Sequence, residues 1–249
     1  MSGNVAVIIP AAGKSSRFGG REKKPFVSLD GRSIWLRTAE IFWKRDDVSK
    51  VYLVIAPEDR DDFRQRFGHL LAFANAEVVE GGEERFESVA NALARVPDSV
   101  QLVAIHDAVR PLTPTSSVDA VFSAAENHGA AMLAIPVTDT LKQVDPATNR
   151  ITGTVPRDRL WQAQTPQVFR RDLIVAGYAK RNELKIPITD DAQLVEAIGH
   201  DVVVVQGSPV NFKITTKDDM QLAEAVLKAR GSNTPTTRTT PAFDDEAKW

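Results

Sequence analysis

The chain has 249 residues, 43% of them hydrophobic, enough to bury a sizeable core as one α/β domain or two smaller ones. Its 31 basic and 33 acidic residues leave a net charge of −2, which gives no reason to expect a nucleic-acid or membrane surface. The absence of cysteine excludes disulfides, thiolate nucleophiles and Cys-based metal sites, and His69, His106, His128 and His200 are too scattered to form a His-x-x-x-His pair. No basic leader precedes a long apolar run and no apolar stretch approaches membrane-spanning length, so a soluble, cytoplasmic protein is expected.

Strand-like and helix-like segments alternate along most of the chain. Val5 to Ile9 is a short β-branched apolar run and reads as a buried parallel strand. Ser33 to Lys44 has helix length, with Ile34, Leu36, Ile41, Phe42 and Trp43 as its apolar residues. Val51 to Ala56 is a second strand, stopped by Pro57, and Glu58 to Phe67 is a charged amphipathic helix carrying Phe63 and Phe67. A strand over Glu77 to Glu80 ends in Gly81-Gly82, and Phe86 to Val96 is a helix with Val89, Leu93 and Val96 on one side. Leu102 to Ile105 is a strand running into His106-Asp107. Thr115 to Asn127 is a helix that Gly129 can cap, and Met132 to Val137 is a further strand. This rhythm predicts a Rossmann-like α/β fold: a mostly parallel, twisted sheet with helices on both faces.

The rhythm breaks at about Thr138. Two alternating segments, Leu141 to Val144 and Arg150 to Val155, flank a turn at Asp145-Pro146 and Asn149 and predict a β-hairpin. So little apolar content would make it poorly stable alone, which points to a protruding arm that packs on a partner subunit, with residues 138–168 as the arm and its return. Helices follow over Arg171 to Asn182 and Asp191 to Ala197, then a strand over Val202 to Val205 and ordered structure over Asn211 to Ile214. A last helix, Lys217 to Lys228, has Asp218 and Asp219 in its first turn. One domain over residues 1–230 is expected, and 231–249, rich in Thr and Pro and then acidic, reads as a disordered tail.

Polar residues gather where ligands bind in an open parallel sheet, at the carboxyl ends of its strands. After the first strand come the small residues Ala11, Ala12, Gly13, Ser15 and Ser16, which let backbone N–H groups approach a phosphate. Lys14, Arg17, Lys23 and Lys24 supply positive charge. The spacing is neither a dinucleotide fingerprint nor a Walker A loop, and alone the stretch is equally an ordinary strand-to-helix turn. Gly81-Gly82-Glu83-Glu84-Arg85 with Ser88, His106-Asp107 with Arg110, Thr138-Asp139-Thr140, and Asn211 with Lys213 and Thr215 follow later strands. Singly, each has an ordinary explanation as a cap, a turn or a solvated lysine. Five such clusters together mark a ligand site.

These residues carry a resemblance. The Pro10-Ala-Ala-Gly13-x3-Arg17 loop with Lys24-Pro-Phe, Gly81-Gly82-x2-Arg85-x2-Ser88, and His106-Asp107-Ala-x-Arg110-Pro111 are similar to the nucleotidyltransferases that activate phosphorylated alcohols. Asp139-Thr140-Leu-Lys142, Arg157-x3-Trp161-x3-Thr165-Pro-Gln167, Thr189-Asp190-Asp191 and Asn211-x-Lys213-x-Thr215 narrow it. Over about residues 4–230 the series resembles the CTP-using methylerythritol phosphate cytidylyltransferases of non-mevalonate isoprenoid synthesis.

The resemblance implies attack by a substrate phosphate oxygen on the α-phosphorus of CTP, a reaction that needs positioning and positive charge but no general base. It assigns catalysis to Arg17, Lys24 and Lys213, and CTP binding to Pro10, Ala11, Ala12, Gly13, Gly82, Glu83, Ser88 and Asp107. Glu83 is a departure, since relatives often have Asp there. Mg²⁺ would bridge the triphosphate with few protein ligands, Asp107 being the candidate. Asp107, Arg110, Thr140, Arg157, Thr165 and Thr189 would bind the small alcohol phosphate, and the arm would cross to a second subunit in a homodimer. Three alternatives remain: ribitol 5-phosphate as acceptor, a sugar-1-phosphate nucleotidyltransferase (whose longer Gly-x-Gly-Thr-Arg loop is absent), and a non-catalytic nucleotide sensor.

Overall fold

A continuous apolar strand needs cover on both faces, and β1 (Val5–Pro10) has it. In the computed structural model, which describes residues 3–13, 23–71, 74–184 and 187–232, alternate β1 side chains enter separate cores. Val5, Val7 and Ile9 pack with Trp35, Phe42, Phe63, Val118 and Phe122; Ala6 and Ile8 pack with Val89, Leu93, Ile174 and Leu194. Helices therefore lie on both sides, as the rhythm predicted.

The order along the chain is β1, a small hairpin of β2 (Ser28–Leu29) and β3 (Arg32–Ser33), α1 (Ile34–Glu40), β4 (Val48–Ile55), α2 (Arg60–Leu71), β5 (Ala76–Glu80) and α3 (Arg85–Leu93). Then come β6 (Leu102–Ile105), α4 (Thr115–His128), β7 (Ala130–Pro136), the arm strands β8 (Leu141–Val144) and β9 (Ile151–Val155), and β10 (Trp161–Arg170). The chain continues through α5 (Arg171–Ala179), α6 (Ala192–Ala197), β11 (Val203–Gln206) and α7 (Lys217–Ser232). Gly129 caps α4 at φ 84°, a left-handed conformation that glycine adopts without a Cβ penalty. The seven-stranded sheet runs β11-β7-β10-β6-β1-β4-β5.

The structure adds to these expectations and corrects some of them. The return of the arm carries a strand that the sequence left unassigned: β10 lies between β6 and β7 and is antiparallel to both. Its Gln-Thr-Pro-Gln run hid it, because Gln164, Thr165 and Gln167 are polar yet buried, each with hydrogen-bond partners. Pro166 offers no N–H, and pairing to β7 skips from Ala163 to Gln167. Residues 211–215 are ordered but form no regular element; Ile214 donates its N–H to the Val109 carbonyl at 2.9 Å and packs with Leu29, Ile34, Leu112 and Ala223 of α7. Gly231 and Ser232 end α7 rather than begin a tail, and 233–249 lie outside the described residues.

The arm hairpin forms as expected, with Leu141 opposite Val155. Val144, Ile151 and Trp161 are exposed on it and beside it, Ile151 at 64%.

Candidate active site

The carboxyl ends of β1, β5 and β6 open onto one pocket. Ala11 to Gly13 form one wall, Lys24 and Pro25 another, Gly82 to Arg85 with Ser88 a third, and Asp107 to Val109 the floor, with Lys213 reaching in from the unpaired segment. The first two loops meet at Gly81. A Cβ there would lie 2.7 Å from that of Ala12 and 2.8 Å from Ser88 Oγ, so only glycine permits this approach. Gly82 N–H donates to Ser88 Oγ at 3.1 Å. Lys23 turns outward to Glu58 and Asp59, at 2.8 and 2.7 Å, while the next residue, Lys24, faces the pocket.

Charge centres on Asp107. Its Oδ2 lies 3.1 Å from Lys213 Nζ and 3.2 Å from Arg110 Nε, and its Oδ1 lies 3.8 Å from Arg85 Nε. Burial pushes this carboxyl up, but Lys213, Arg85 and Arg110 together outweigh it and hold it well below the usual carboxylate range. Arg85 is pinned from behind by Asp191 at 2.8 Å, which also accepts from the Tyr178 hydroxyl at 2.6 Å. Burial and the Asp191 charge drive the Tyr178 hydroxyl far above its ordinary range, so it stays protonated as a donor.

Beneath Asp107 sits His106, fully buried against Phe42. The Arg110 carbonyl, 3.2 Å from His106 Nε2, can only accept, so the neutral ring carries its proton there. Nδ1 is then an acceptor, and Thr165 Oγ1, which takes the Asp107 N–H at 3.0 Å, donates its own proton to it, also at 3.0 Å. Burial lowers His106 to about 4. The unfolded chain takes up this proton near pH 6.5 and the folded one does not, so stability is complete above about 6.5 and declines toward pH 4. Denaturant titrations of wild type and His106→Gln across that window should show a flatter slope in the variant; parallel slopes would assign the acid sensitivity elsewhere.

The structure brings together Pro10, Ala11, Ala12, Gly13, Lys24, Gly82, Glu83, Ser88, Asp107 and Lys213, with Arg110 and Thr165 directly behind Asp107. Arg17 lies outside the described residues. Thr140, Arg157 and Thr189 do not line the pocket. Thr140 is exposed at the base of the arm, Arg157 donates to the Thr138 carbonyl, and Thr189 bonds Gln193. Arg85 also lines the pocket; the sequence placed it in the cluster after Gly81-Gly82 but gave it no role of its own.

No three His, Asp or Glu side chains among the described residues are placed to hold a metal. The donor set suits an ion held mainly by ligand phosphates and water, with Asp107 Oδ1 available for one bond beyond its distant contact to Arg85. No helix among the described residues is long and apolar enough to cross a membrane.

A family model described as 2-C-methyl-D-erythritol 4-phosphate cytidylyltransferase (IspD) matches residues 5–229. A relative of that name from Frankia casuarinae is 42% identical over 91% of this chain and 82% of its own length. Another from Rhodopirellula baltica is 41% identical over 90% of this chain and 95% of its own. The crystal structure of 4-diphosphocytidyl-2C-methyl-D-erythritol synthase from Anaerococcus prevotii superposes with a TM-score of 0.76 at 29% identity, covering 92% of this chain and 100% of that one. The match runs along nearly the whole chain in sequence and in structure, and the chain belongs to the 2-C-methyl-D-erythritol 4-phosphate cytidylyltransferase family.

Proposed function

We propose that this pocket binds CTP and transfers its CMP unit to 2-C-methyl-D-erythritol 4-phosphate, giving 4-diphosphocytidyl-2-C-methyl-D-erythritol and pyrophosphate. An acceptor phosphate oxygen forms the new bond to the α-phosphorus as the bond to the bridging oxygen of the β-phosphate breaks, and pyrophosphate leaves with that electron pair. The nucleophile is already an anion, so no base is needed and His106, neutral and buried, stays out of the chemistry. One observation carries the reading: Ala11–Gly13, Lys24 and Lys213, remote in sequence, line the same cavity.

The N–H groups of Ala11 to Gly13, with Pro10, lie against the triphosphate, and Lys24 and Lys213 place charge where the transition state is richest in oxygen. Arg17 belongs to the same role by its motif. Gly82, Glu83 and Ser88 take the cytosine and ribose. Mg²⁺ is the divalent cation of the proposal: Asp107 would help to hold it, and it would supply charge neutralisation to the triphosphate. A cytoplasmic site of action, where CTP is pooled, completes it.

The acceptor half needs a second copy. Val144 and Ile151 on the two-stranded arm, with Trp161 beside it, form apolar surface that the described residues leave exposed. We place the arm on a partner subunit in a homodimer, where Thr140 and Arg157 join Arg110, Thr165 and Thr189 of the neighbour around the acceptor phosphate. Inactive Lys24→Ala and inactive Arg157→Ala chains should then regain activity on mixing, up to about a quarter of wild type if subunits pair at random and one site in mixed dimers is intact. No regain in dimers shown to exchange subunits would rule out a shared site.

The direct test is pyrophosphate release with Mg²⁺, CTP and one acceptor at a time: methylerythritol phosphate, ribitol 5-phosphate or a sugar 1-phosphate. Release with the first alone is expected. The relatives named above all carry the methylerythritol name, which disfavours ribitol phosphate; release with ribitol phosphate alone would overturn the acceptor, and silence with all three would overturn the reaction.

A further inference from the structure

Asn211 is fully buried, and the reaction described above gives it no role. It begins the unpaired segment that carries Lys213 into the pocket, and it fixes that segment on several sides. Thr113 Oγ1 donates to its Oδ1 at 2.7 Å. Its Nδ2 donates to the Thr165 carbonyl at 2.9 Å and to Gln164 Oε1 at 3.2 Å. Its own carbonyl accepts from the Arg110 guanidinium at 2.6 Å, and its N–H reaches the Ser208 carbonyl at 2.9 Å. Both ends of the carboxamide are thus occupied, by groups on the loop after β6 and on β10. Three residues on, the Ile214 N–H is tied to Val109 at 2.9 Å, so the backbone beneath Lys213 is held from both directions. Lys213 has a long, 41%-exposed side chain whose ammonium meets Asp107, and no ladder hydrogen bonds aim it.

We propose that Asn211 is the positioning residue for Lys213, setting where its ammonium stands relative to Asp107 and the reacting phosphate without touching the nucleotide. The inference rests on the reading of Lys213 given above. It has a kinetic signature that a purely structural role lacks. A misaimed charge lowers kcat and leaves CTP binding to Lys24 and the Ala11–Gly13 loop.

The test compares kcat, KM for CTP and denaturant stability in the full-length protein carrying Asn211→Ala, Thr113→Val or Lys213→Ala, and in the Asn211→Ala/Lys213→Ala double variant. Val118→Ala, on the buried face of α4, serves as a control for lost stability. Asn211→Ala should lower kcat about 10- to 100-fold, the scale of a 1 Å misplacement, with KM for CTP changed less than about threefold. Thr113→Val, which keeps shape but removes the proton given to Asn211, should lose less in the same direction, and it carries the test if Asn211→Ala does not fold. Added to Lys213→Ala, Asn211→Ala should cost little more, because no ammonium is left to aim. Val118→Ala should lose stability but keep kcat. An unchanged kcat in Asn211→Ala and Thr113→Val, or the same further loss with and without Lys213, would overturn the proposal. An unchanged kcat in Lys213→Ala itself would instead sink the reading of Lys213 on which it rests.

Discussion

Lys213→Ala should lower kcat by roughly 10²- to 10³-fold while changing CTP binding only a few-fold, the loss expected when one preorganised charge is taken from a transition state. The asymmetry follows from the site. On the proposed reading, the triphosphate keeps the Ala11–Gly13 loop and Lys24, which also line the pocket, whereas charge building on the α-phosphoryl oxygens loses its partner. Lys213→Arg should recover part of the rate, since charge returns but a planar fork replaces a compact ammonium. Single-turnover rates with CTP affinity measured alongside decide the matter. Equal losses in both would make Lys213 a binding residue and remove the catalytic assignment.

Asp107→Ala should be the most destabilising change in the site, costing about 3–5 kcal/mol, because removing one partner of a buried ion pair strands the other. Here three cations converge on one carboxylate, and Arg110 is itself buried. Saturating CTP or pyrophosphate should raise the melting temperature of the variant more than that of wild type, because the ligand restores negative charge among Lys213, Arg110 and Arg85. A variant as stable as wild type without ligand would show that the cluster is solvated and not a buried pair. The acid behaviour follows the same charges. The folded carboxyl is held below its ordinary value, so the Asp107 contribution is complete above about pH 4 and is lost on further acidification, below the range governed by His106.

Much of the fold was legible because its parallel strands are unbroken apolar runs such as Val5 to Ile9 and Leu102 to Ile105, which need cover on both faces. The strand β10 was not legible. Before its apolar end at Val168 and Phe169, its buried positions include two glutamines and a threonine satisfied by Asp191 and Ala192 N–H groups, Ser208 and His106, partners that sequence periodicity cannot show. Four of the five polar clusters do meet, since strand carboxyl ends converge in such a sheet, though Arg17 in the first lies outside the described residues. The cluster at Thr138 to Thr140 stays apart in the single chain, because the arm carries it away from the pocket. Arg85 went unselected although it lies in a quoted motif; only the fold shows it spanning Asp107 and Asp191.

The placement of β10 has an engineering consequence. Because β7 and β10 are antiparallel neighbours inside the sheet, the chain leaves and re-enters it at the same end of this strand pair, and everything between them is an excursion that the sheet does not need for its connectivity. Residues 137–160 are therefore a cassette. A transplant from another cytidylyltransferase needs to match only the two stems, which the Val137 N–H and Leu160 carbonyl already join at 3.0 Å. On the proposed reading such a chimera would exchange Thr140 and Arg157 alone, and keep Arg110, Thr165, Thr189 and the nucleotide half of its host.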